Sequence, residues 1–334
     1  MIFPCILIAL LFANALGYDS WPGNNAVVVA DINNEFGPNL SGLKYLVSSP
    51  DYMDAVKNDP SMLYRLIFNG KVWVSDLNNF WSSGKQLFYP DGKGSPDSED
   101  ITVDDLGNVY ACSERNNGDK DTARPSILRY EAASLSKDIS LIASIEWNLS
   151  KDFPNIDSNS AFEGVAWIPD QFLVAHNFTD SFLRIPYNPS HYPDHGNGIF
   201  FIAVEADGNV YAYVLSNDGS FQQIGKYSSG ETAIMSVQFD QQSGYLWTLC
   251  DSNCNGRQHV LTIDPSTGTF KEIAAFSRPS TMPNTNLEGF TIQPYTSEEC
   301  LNNGNMTLVY WSDDDCLDGH AIRQGTIPCY DFLL

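Results

Sequence analysis

The sequence predicts an all-β fold, a six-bladed β-propeller, because one short phrase recurs along the chain. The phrase is a polar or acidic residue, a small residue and an alternating apolar run, as in residues 163–167 (Glu-Gly-Val-Ala-Trp) and 288–292 (Glu-Gly-Phe-Thr-Ile). Such alternation is typical of strands, and the copies follow one another at roughly 35 to 65 residues, which brackets the spacing of propeller repeats. The six copies begin at Ser41, Glu99, Glu163, Phe200, Met235 and Glu288.

Turn residues divide each copy into further strands. Gly107-Asn108 leads into an apolar run at 109–112, and Gly208-Asn209 leads into one at 210–214. Residues 26–30 form an apolar strand before the first copy, and we expect this N-terminal strand to close the last blade, because closure leaves only short protected edges. A plain β-sandwich is the alternative fold, and the repeat argues against it.

The N-terminus predicts export from the cell. Residues 1–17 hold an apolar run that ends in small residues, as a cleaved signal peptide does; a short membrane anchor is the alternative. Residues 18–334 are then expected to form a single propeller domain, secreted, extracellular and monomeric. Four glycosylation sequons fit a secreted glycoprotein, at Asn39, Asn148, Asn177 and Asn305.

The charge of the chain limits its partners. With 41 acidic and 18 basic residues, the formal net charge is −23 at pH 7. This charge argues against nucleic acid and membrane surfaces as partners, because both are anionic, and it favours cations. The solubility of a secreted protein accounts for the same charge unless the carboxylates converge at one place.

Cysteine usage predicts disulfides. Six cysteines remain after removal of the signal peptide, and an even number in an oxidising compartment favours bridges, although six thiols allow 15 pairings. The C-x-x-C signature of a zinc site is absent from the sequence. We expect two bridges, Cys300–Cys329 and Cys250–Cys254. The two further cysteines, Cys112 and Cys316, either pair with each other or stay as buried thiols.

Three copies of the phrase open with glutamate, which predicts a metal site on the propeller axis. First strands line the channel of a propeller, so Glu99, Glu163 and Glu288 occupy equivalent positions around one opening. Carboxylates gathered in a desolvated place repel one another unless they are protonated or bridged by a cation. Calcium suits an irregular set of oxygen ligands better than magnesium. The alternative is that each glutamate hydrogen-bonds the backbone of the neighbouring blade.

Loops after the predicted second strands add oxygen and nitrogen ligands. Binding groups tend to lie on such loops, although Asp, Asn and Ser also favour turns for local reasons. No G-x-S-x-G pentapeptide is present, so serine hydrolase chemistry of that type is not expected. The further metal ligands predicted are Asn116, Asn177, Asp251 and Asp313, and the catalytic candidates are His176, His320 and Arg115.

Seven short segments carry a resemblance to a known family: 40–43, 113–115, 124–130, 162–166, 286–290, 311–315 and 319–329. Together they resemble the phytase-like, or "esterase-like activity of phytase", group of secreted β-propellers. The resemblance implies a calcium-associated propeller, in a group whose name suggests ester or phosphoester hydrolysis. Glu99, Glu163 and Glu288 match the group's acidic position, and Ser41 departs from it. Gluconolactonase-like propellers also use a metal site of Glu and Asn.

Two functions are compatible with these features. In the first, calcium on the axis supports hydrolysis of a small ester, phosphoester or lactone, with the cation polarising the substrate and activating water. In the second, the cation is structural, and the loops form a non-catalytic module that binds an extracellular glycan or protein. Loop aromatics such as Trp81, Tyr192 and Tyr295 would serve the second function.

Overall fold

A computed structural model describes residues 18–47, 49–131 and 136–329 of the chain. Strands dominate these residues, and they are arranged as a β-propeller of five blades. The predicted signal peptide, residues 1–17, lies outside the described residues. None of the helices that are described has the length and apolar content needed to cross a bilayer.

The five blades follow one another in chain order. A short strand, β1 (Val28–Val29), precedes them. The first blade contains β2 (Leu40–Tyr45), β3 (Tyr52–Lys57), β4 (Met62–Phe68), β5 (Trp73–Ser75) and β6 (Lys85–Phe88). The second contains β7 (Pro96–Val103), β8 (Val109–Asn116), β9 (Asp119–Tyr130) and β11 (Ile145–Asn148), while β10 (Ser140–Ile142) pairs in parallel with β6.

The third blade contains β12 (Phe162–Pro169), β15 (Gly198–Val204), β16 (Asn209–Leu215) and β17 (Phe221–Ser228). An insertion between its first two strands holds α1 (Asp170–Ala175), β13 (Thr179–Asp180) and β14 (Ile185–Pro186). The fourth contains β18 (Ser236–Asp240), β19 (Tyr245–Leu249), β20 (Gln258–Ile263) and β21 (Phe270–Phe276). The fifth contains β22 (Leu287–Ile292), α2 (Ser297–Asn302), β23 (Met306–Asp313) and β24 (Ile322–Pro328). Short 3-10 turns lie at Pro189–His191, Glu205–Asp207, Ser252–Cys254 and Leu317–Gly319.

The first strands of the five blades form a closed ring around the axis. Each contacts its two neighbours, in the order β2, β7, β12, β18, β22 and back to β2. Five buried hydrophobic clusters fill the five spaces between adjacent sheets, as expected where twisted sheets pack face to face. The cluster that contains Leu43 and Tyr310 joins the first blade to the fifth, so apolar packing closes the ring.

The predicted number of six blades is wrong, and the physical reason is the insertion at residues 170–197. The run at 200–204 alternates like a first strand, but it belongs to β15, which pairs antiparallel with β12 through Phe201 and Ala166. It is therefore the second strand of the third blade. The insertion separates it from β12 by nearly a repeat length, so the sequence pattern suggests one blade too many.

The predicted N-terminal strand is short in the structure. β1 pairs antiparallel with β24, with Val28 opposite Gln324, on the outer edge of the fifth sheet. The chain then crosses to the first blade, where the backbone N–H of Trp73 donates to the carbonyl of Ala30 at 2.8 Å. The N-terminal segment thus contacts both the last and the first blade.

The disulfide Cys300–Cys329 is confirmed, with Cα atoms 6.0 Å apart. It ties α2 to the residue that follows β24. Cys250 and Cys254 also pair, within one turn, with Cα atoms 5.9 Å apart. Cys112 is a buried free thiol and Cys316 is a half-buried one.

Candidate metal centre

Three of the five first strands carry a buried glutamate at the same end of the axial channel. Glu99, Glu163 and Glu288 are 4%, 5% and 6% exposed. Ser41 and Met235 take the equivalent positions in the first and fourth blades. The first strands all contact their neighbours around the ring, and the charge of Glu288 acts on both Glu99 and Glu163, so the three glutamates lie near one another at this end.

The glycine that follows two of the three glutamates, Glu163 and Glu288, has a steric reason. A Cβ atom at Gly164 would lie 2.6 Å from the backbone nitrogen of Val237 in the next blade, and one at Gly289 would overlap the carbonyl oxygen of Ser41. Glycine is used where two backbones approach this closely. The glutamate-glycine phrase therefore places a carboxylate at the point where the blades come closest.

The second strands bring further carboxylates to the same end. Each runs antiparallel to the first strand of its blade, so the end of the second lies beside the start of the first, as in the pairs Ser98 with Ser113, Phe162 with Val204, and Leu287 with Asp313. Four of the five second strands end at or near an acidic residue, and the fifth ends at an amide. These residues are Asn58, Glu114, Glu205, Asp251 and Asp314.

Among the residues that the structure describes, two groups of carboxylates are close enough to hold a cation. Oxygen atoms of Asp97, Glu99 and Glu114 lie within 4.8 Å of one another, and so do oxygen atoms of Glu114, Glu163 and Glu205. Glu114 belongs to both groups. All the ligand atoms offered in these groups are carboxylate oxygens. A third acidic group, Glu231 with Cys250 and Cys254, is not comparable, because its two sulfur atoms are joined in a disulfide.

The pKa values show the electrostatic cost of this arrangement. Burial raises the pKa of Glu99 well above its usual range, and the charges of Asp97 and Glu288 raise it further. The pKa of Glu163 is also raised well above its usual range, first by burial and then by the charges of Glu114 and Glu99. Burial and Asp314 raise the pKa of Glu288. The three glutamates are thus electrostatically coupled, and without a cation they must hold protons.

Glu114 occupies the centre of the cluster. Burial raises its pKa to about 7, while the backbone N–H of Ala161, which donates to it, acts in the opposite direction. The nearest positive charge is the Arg115 guanidinium, whose Nε lies 2.7 Å from Asp97 and whose Nη1 lies 4.0 Å from Glu114. One guanidinium cannot neutralise the surrounding carboxylates.

Carboxylate oxygens of Glu288 and Asp314 lack a hydrogen-bond partner among the described residues. Glu288 accepts a hydrogen bond from Asn286 Nδ2 at 2.7 Å on Oε1, but its Oε2 has none, although it is buried. The buried Oδ1 of Asp314 also has none. Buried carboxylate oxygens normally have a partner, and a bound cation would supply one.

The structure separates some of the predicted metal ligands from this cluster. Asn177 is exposed in the insertion after α1, which starts where β12 ends, at the opposite end of the channel from Glu163. Asn116 uses its Oδ1 to accept hydrogen bonds from the backbone of Ser95 and Gly118. Neither side chain is therefore placed with the glutamates.

The two predicted aspartates lie nearer, but both have local roles. Asp251 is buried and accepts hydrogen bonds from the backbone and side chain of Asn253, at 2.9 and 2.8 Å. Asp313 is paired with Arg323 at 3.2 Å. Asp314, the next residue along the chain, is the one whose charge acts most strongly on Glu288.

The catalytic candidates also lie apart. His176 is exposed at the C-terminus of α1, not at a strand end, and its ring stacks on Phe172. His320 is bonded to Asp31 at 2.9 Å, where the N-terminal segment meets the last blade. Only Arg115 reaches the acidic cluster, and it is occupied there by its ion pair with Asp97.

Asp97 and Glu205 were not predicted as members of the cluster, and Asn116 and Asp313 were predicted as ligands in place of their neighbours Glu114 and Asp314. Two signals could have found them. Asp97 lies two residues before Glu99, and residues at this spacing share one face of a strand. Glu205 directly follows the second strand of the third blade, and Glu114 lies near the end of the second strand of the second blade. The two positions are recognised as equivalent only when the blades are counted correctly as five.

Comparisons with known proteins leave the family open. No family model matches the chain, and no curated protein matches it. Among solved structures, glutaminyl cyclase from Myxococcus xanthus is similar at 10% identity, over 91% of this chain and 97% of that one, with a TM-score of 0.46. A gluconolactonase from Xanthomonas campestris is similar at 12% identity, over 83% and 69%, with a TM-score of 0.37. A chain of a nidogen and laminin complex is similar at 13% identity, over 83% and 73%, with a TM-score of 0.38.

Proposed function

We propose that this propeller binds calcium at the acidic end of its axial channel. The observation that carries the proposal is the convergence of carboxylates from the second and third blades in one place, with Glu114 shared between two groups. The unpartnered oxygen of Glu288 supports it. Protonation of the glutamates is the competing explanation, and it predicts a protein that needs no metal.

The chemistry of the ligands favours a hard cation. Both groups offer oxygen atoms alone, whereas zinc and copper sites in proteins use histidine or cysteine. The carboxylates come from the first and second strands of two blades, so their geometry is irregular. Calcium tolerates irregular coordination by six to eight oxygens, and magnesium demands a near-ideal octahedron.

Our second proposal is that the bound cation supports hydrolysis of a small ester, phosphoester or lactone. A divalent cation polarises the oxygen of such a substrate and lowers the pKa of water. A carboxylate of the cluster that does not ligate the cation would accept the proton of that water. Arg115 is 2.7 Å from Asp97 and thus already paired, so an anionic substrate would depend on the cation for neutralisation. This activity fits the resemblance to phytase-like propellers. Membership of that group and secretion of the protein are proposals too.

A non-catalytic binding module is the alternative, and one observation favours it. Glu99, Glu163 and Glu288 are each no more than 6% exposed, as expected for ligands of a structural cation. The aromatic residues do not add support. Trp81 is 1% exposed, so it is not a loop aromatic available to a ligand, and the Tyr192 hydroxyl donates to Asp180 at 2.6 Å.

Calcium titration of the chelator-treated protein tests the first proposal. We expect elemental analysis of the purified protein to find calcium, and we expect added calcium to raise the melting temperature, because a ligand at 100 times its Kd stabilises a protein by about 2.7 kcal/mol. Glu163→Gln should abolish this shift. Glu298→Gln, which alters an exposed glutamate on α2, should leave it intact.

Absence of bound metal, together with no calcium shift in the wild-type protein, would overturn the metal centre. The second proposal needs a separate assay on nitrophenyl esters, phosphoesters and lactones. Turnover that requires calcium and is lost in Glu163→Gln supports the hydrolase. Bound calcium without turnover of any of these substrates favours the binding module.

A further inference from the structure

A second candidate site lies at the other end of the axial channel. The first strands β2, β7, β12 and β18 end around a cavity of about 280 Å³. Lys44 is three residues beyond Ser41 on β2, and strands rise about 3.3 Å per residue, so its level lies about 10 Å along the axis from that of the glutamates. The cavity walls include the apolar residues Tyr45, Val47, Val103, Trp167 and Pro169 and the polar residues Asp104, Asp105 and Gln241. Both aspartates have other partners, because Asp104 accepts a hydrogen bond from Tyr110 and Asp105 accepts one from Asn197.

Lys44 is buried beside this cavity without a direct partner. The residue is 6% exposed, and no hydrogen bond or ion pair joins its Nζ to the rest of the described chain. The carboxylates that act on it from neighbouring strands are Asp100 and Asp240. Both are occupied, because Asp100 accepts from the backbone N–H of Ile101 at 2.8 Å and Asp240 accepts from that of Gln242 at 3.0 Å.

A second buried lysine shows the contrast. Lys85 is fully buried, yet its Nζ donates to the carbonyl of Ser136 at 2.6 Å and lies 4.3 Å from the ring centre of Trp81. Its ammonium group therefore has both a hydrogen-bond acceptor and an aromatic face. Lys44 has neither of these contacts, and it is the lysine that faces an open cavity.

Burial has a chemical consequence for the Lys44 amine. It lowers the pKa of Lys44 to about 8, although the charges of Asp100 and Asp240 oppose this. At pH 7 about one tenth of such a group is the free amine, against well under one in a thousand for an ordinary lysine. Desolvated lysines of this kind are the ones that react as nucleophiles with carbonyl compounds.

We propose that Lys44 is a reactive amine that binds small apolar aldehydes or ketones as an imine in this cavity. The lone pair of Nζ forms a bond to the carbonyl carbon, and the carbonyl oxygen takes up two protons and leaves as water. The amine supplies those two protons, so the condensation needs no oxidant or reductant. The apolar walls favour the carbon skeleton of the ligand and the loss of water. This site is independent of the metal centre.

Reductive trapping at a defined lysine tests the proposal. The probe is benzaldehyde with cyanoborohydride at pH 7, where hydride reduces the imine carbon and leaves a stable benzylamine, and peptide mass mapping locates the adduct. We expect Lys44 to be labelled at least about tenfold faster than the exposed Lys93, in line with its larger free-amine fraction. Lys85 should be labelled slowly, since burial alone does not make it reactive.

Two further measurements make the result specific to the cavity. Gln241→Trp places a bulky ring at the exposed rim of the cavity and should slow labelling of Lys44 without changing that of Lys93. Lys44→Met should remove the adduct. If that variant does not fold, the wild-type map still decides. Labelling of Lys44 no faster than of Lys93, or no slower in Gln241→Trp, would overturn the proposal.

Discussion

Carboxylate oxygens of Glu114 and Glu163 lie within 4.8 Å of each other although the two residues belong to different blades. Glu114 is near the end of β8 in the second blade, and Glu163 is near the start of β12 in the third. The group that combines Glu114 with Glu163 and Glu205 therefore exists only when the ring is assembled. Like charges at this distance oppose assembly, and a cation between them would favour it.

Close packing at the axis makes the glycine of the phrase a sensitive position. Gly164→Ala should destabilise the protein by roughly 1 to 3 kcal/mol, because the new Cβ would lie 2.6 Å from the backbone of Val237. Gly118→Ala is the matched control, since its Cβ would meet its nearest neighbour at 3.6 Å. Urea unfolding measures both. Equal stability of the two variants would mean that the blades can move apart at no cost.

The two disulfides should contribute unequally to stability. Cys300–Cys329 has a sequence separation of 29 residues, which corresponds to about 3 to 4 kcal/mol of chain entropy in the unfolded state. Cys250–Cys254 has a separation of 4 residues, which corresponds to about 2 kcal/mol. All four cysteines are no more than 5% exposed, so the alanine variants lose similar packing.

Urea unfolding of the double variants checks this order. Cys300→Ala with Cys329→Ala should lower the free energy of unfolding more than Cys250→Ala with Cys254→Ala. A larger loss from the second pair would show that the short loop does more than restrict the unfolded chain, for instance by holding Asp251 in place.

His259 should make stability depend on pH. Its ring nitrogens lie 2.8 Å from Glu231 and 2.8 Å from Glu272. Burial opposes the charged ring, but hydrogen bonds to the two glutamates outweigh it and raise the pKa of His259. Arg257, which also pairs with Glu231, and Tyr18, whose ring meets the imidazole edge-on, are the other groups that face this site.

A raised folded-state pKa fixes the sign of the pH effect. The stabilisation is complete below the unfolded-state pKa of about 6.5 and is lost as the pH rises through the higher folded-state value. We expect His259→Gln to flatten the fall in melting temperature above pH 6.5, while His191→Gln, at an exposed histidine, leaves it unchanged. An unaltered pH profile in His259→Gln would contradict the charged ring.

The sequence predicts the architecture better than the number of blades. Alternating strands with turn residues are local features, so the all-β propeller could be predicted. The disulfide Cys300–Cys329 could be predicted because its two cysteines lie at the two edges of the last repeat. The identity of a strand as first or second in its blade is not local. The run at 200–204 has the alternation of a first strand, and only its pairing with β12 shows that it is a second strand.

The same limit applies to the candidate site. Glu99, Glu163 and Glu288 could be found because each opens a recognisable phrase. Glu205 could not, because its place beside Glu163 depends on the pairing of Phe162 with Val204 across the insertion. The exposed position of Asn177 follows from the same insertion, since residues 170–175 form α1 and not a second strand.

Substitution of Glu205 and Asp251 distinguishes a localised metal centre from a diffuse acidic surface. Both follow second strands, but Glu205 belongs to a carboxylate group with Glu114 and Glu163, whereas Asp251 already accepts two hydrogen bonds from Asn253. If calcium binds as proposed, Glu205→Gln should raise its Kd at least about tenfold, or about 1.4 kcal/mol, and Asp251→Asn should change it little. Calorimetric titration measures both constants. Similar small effects would show that calcium is held by overall charge, because no single carboxylate would then be a ligand.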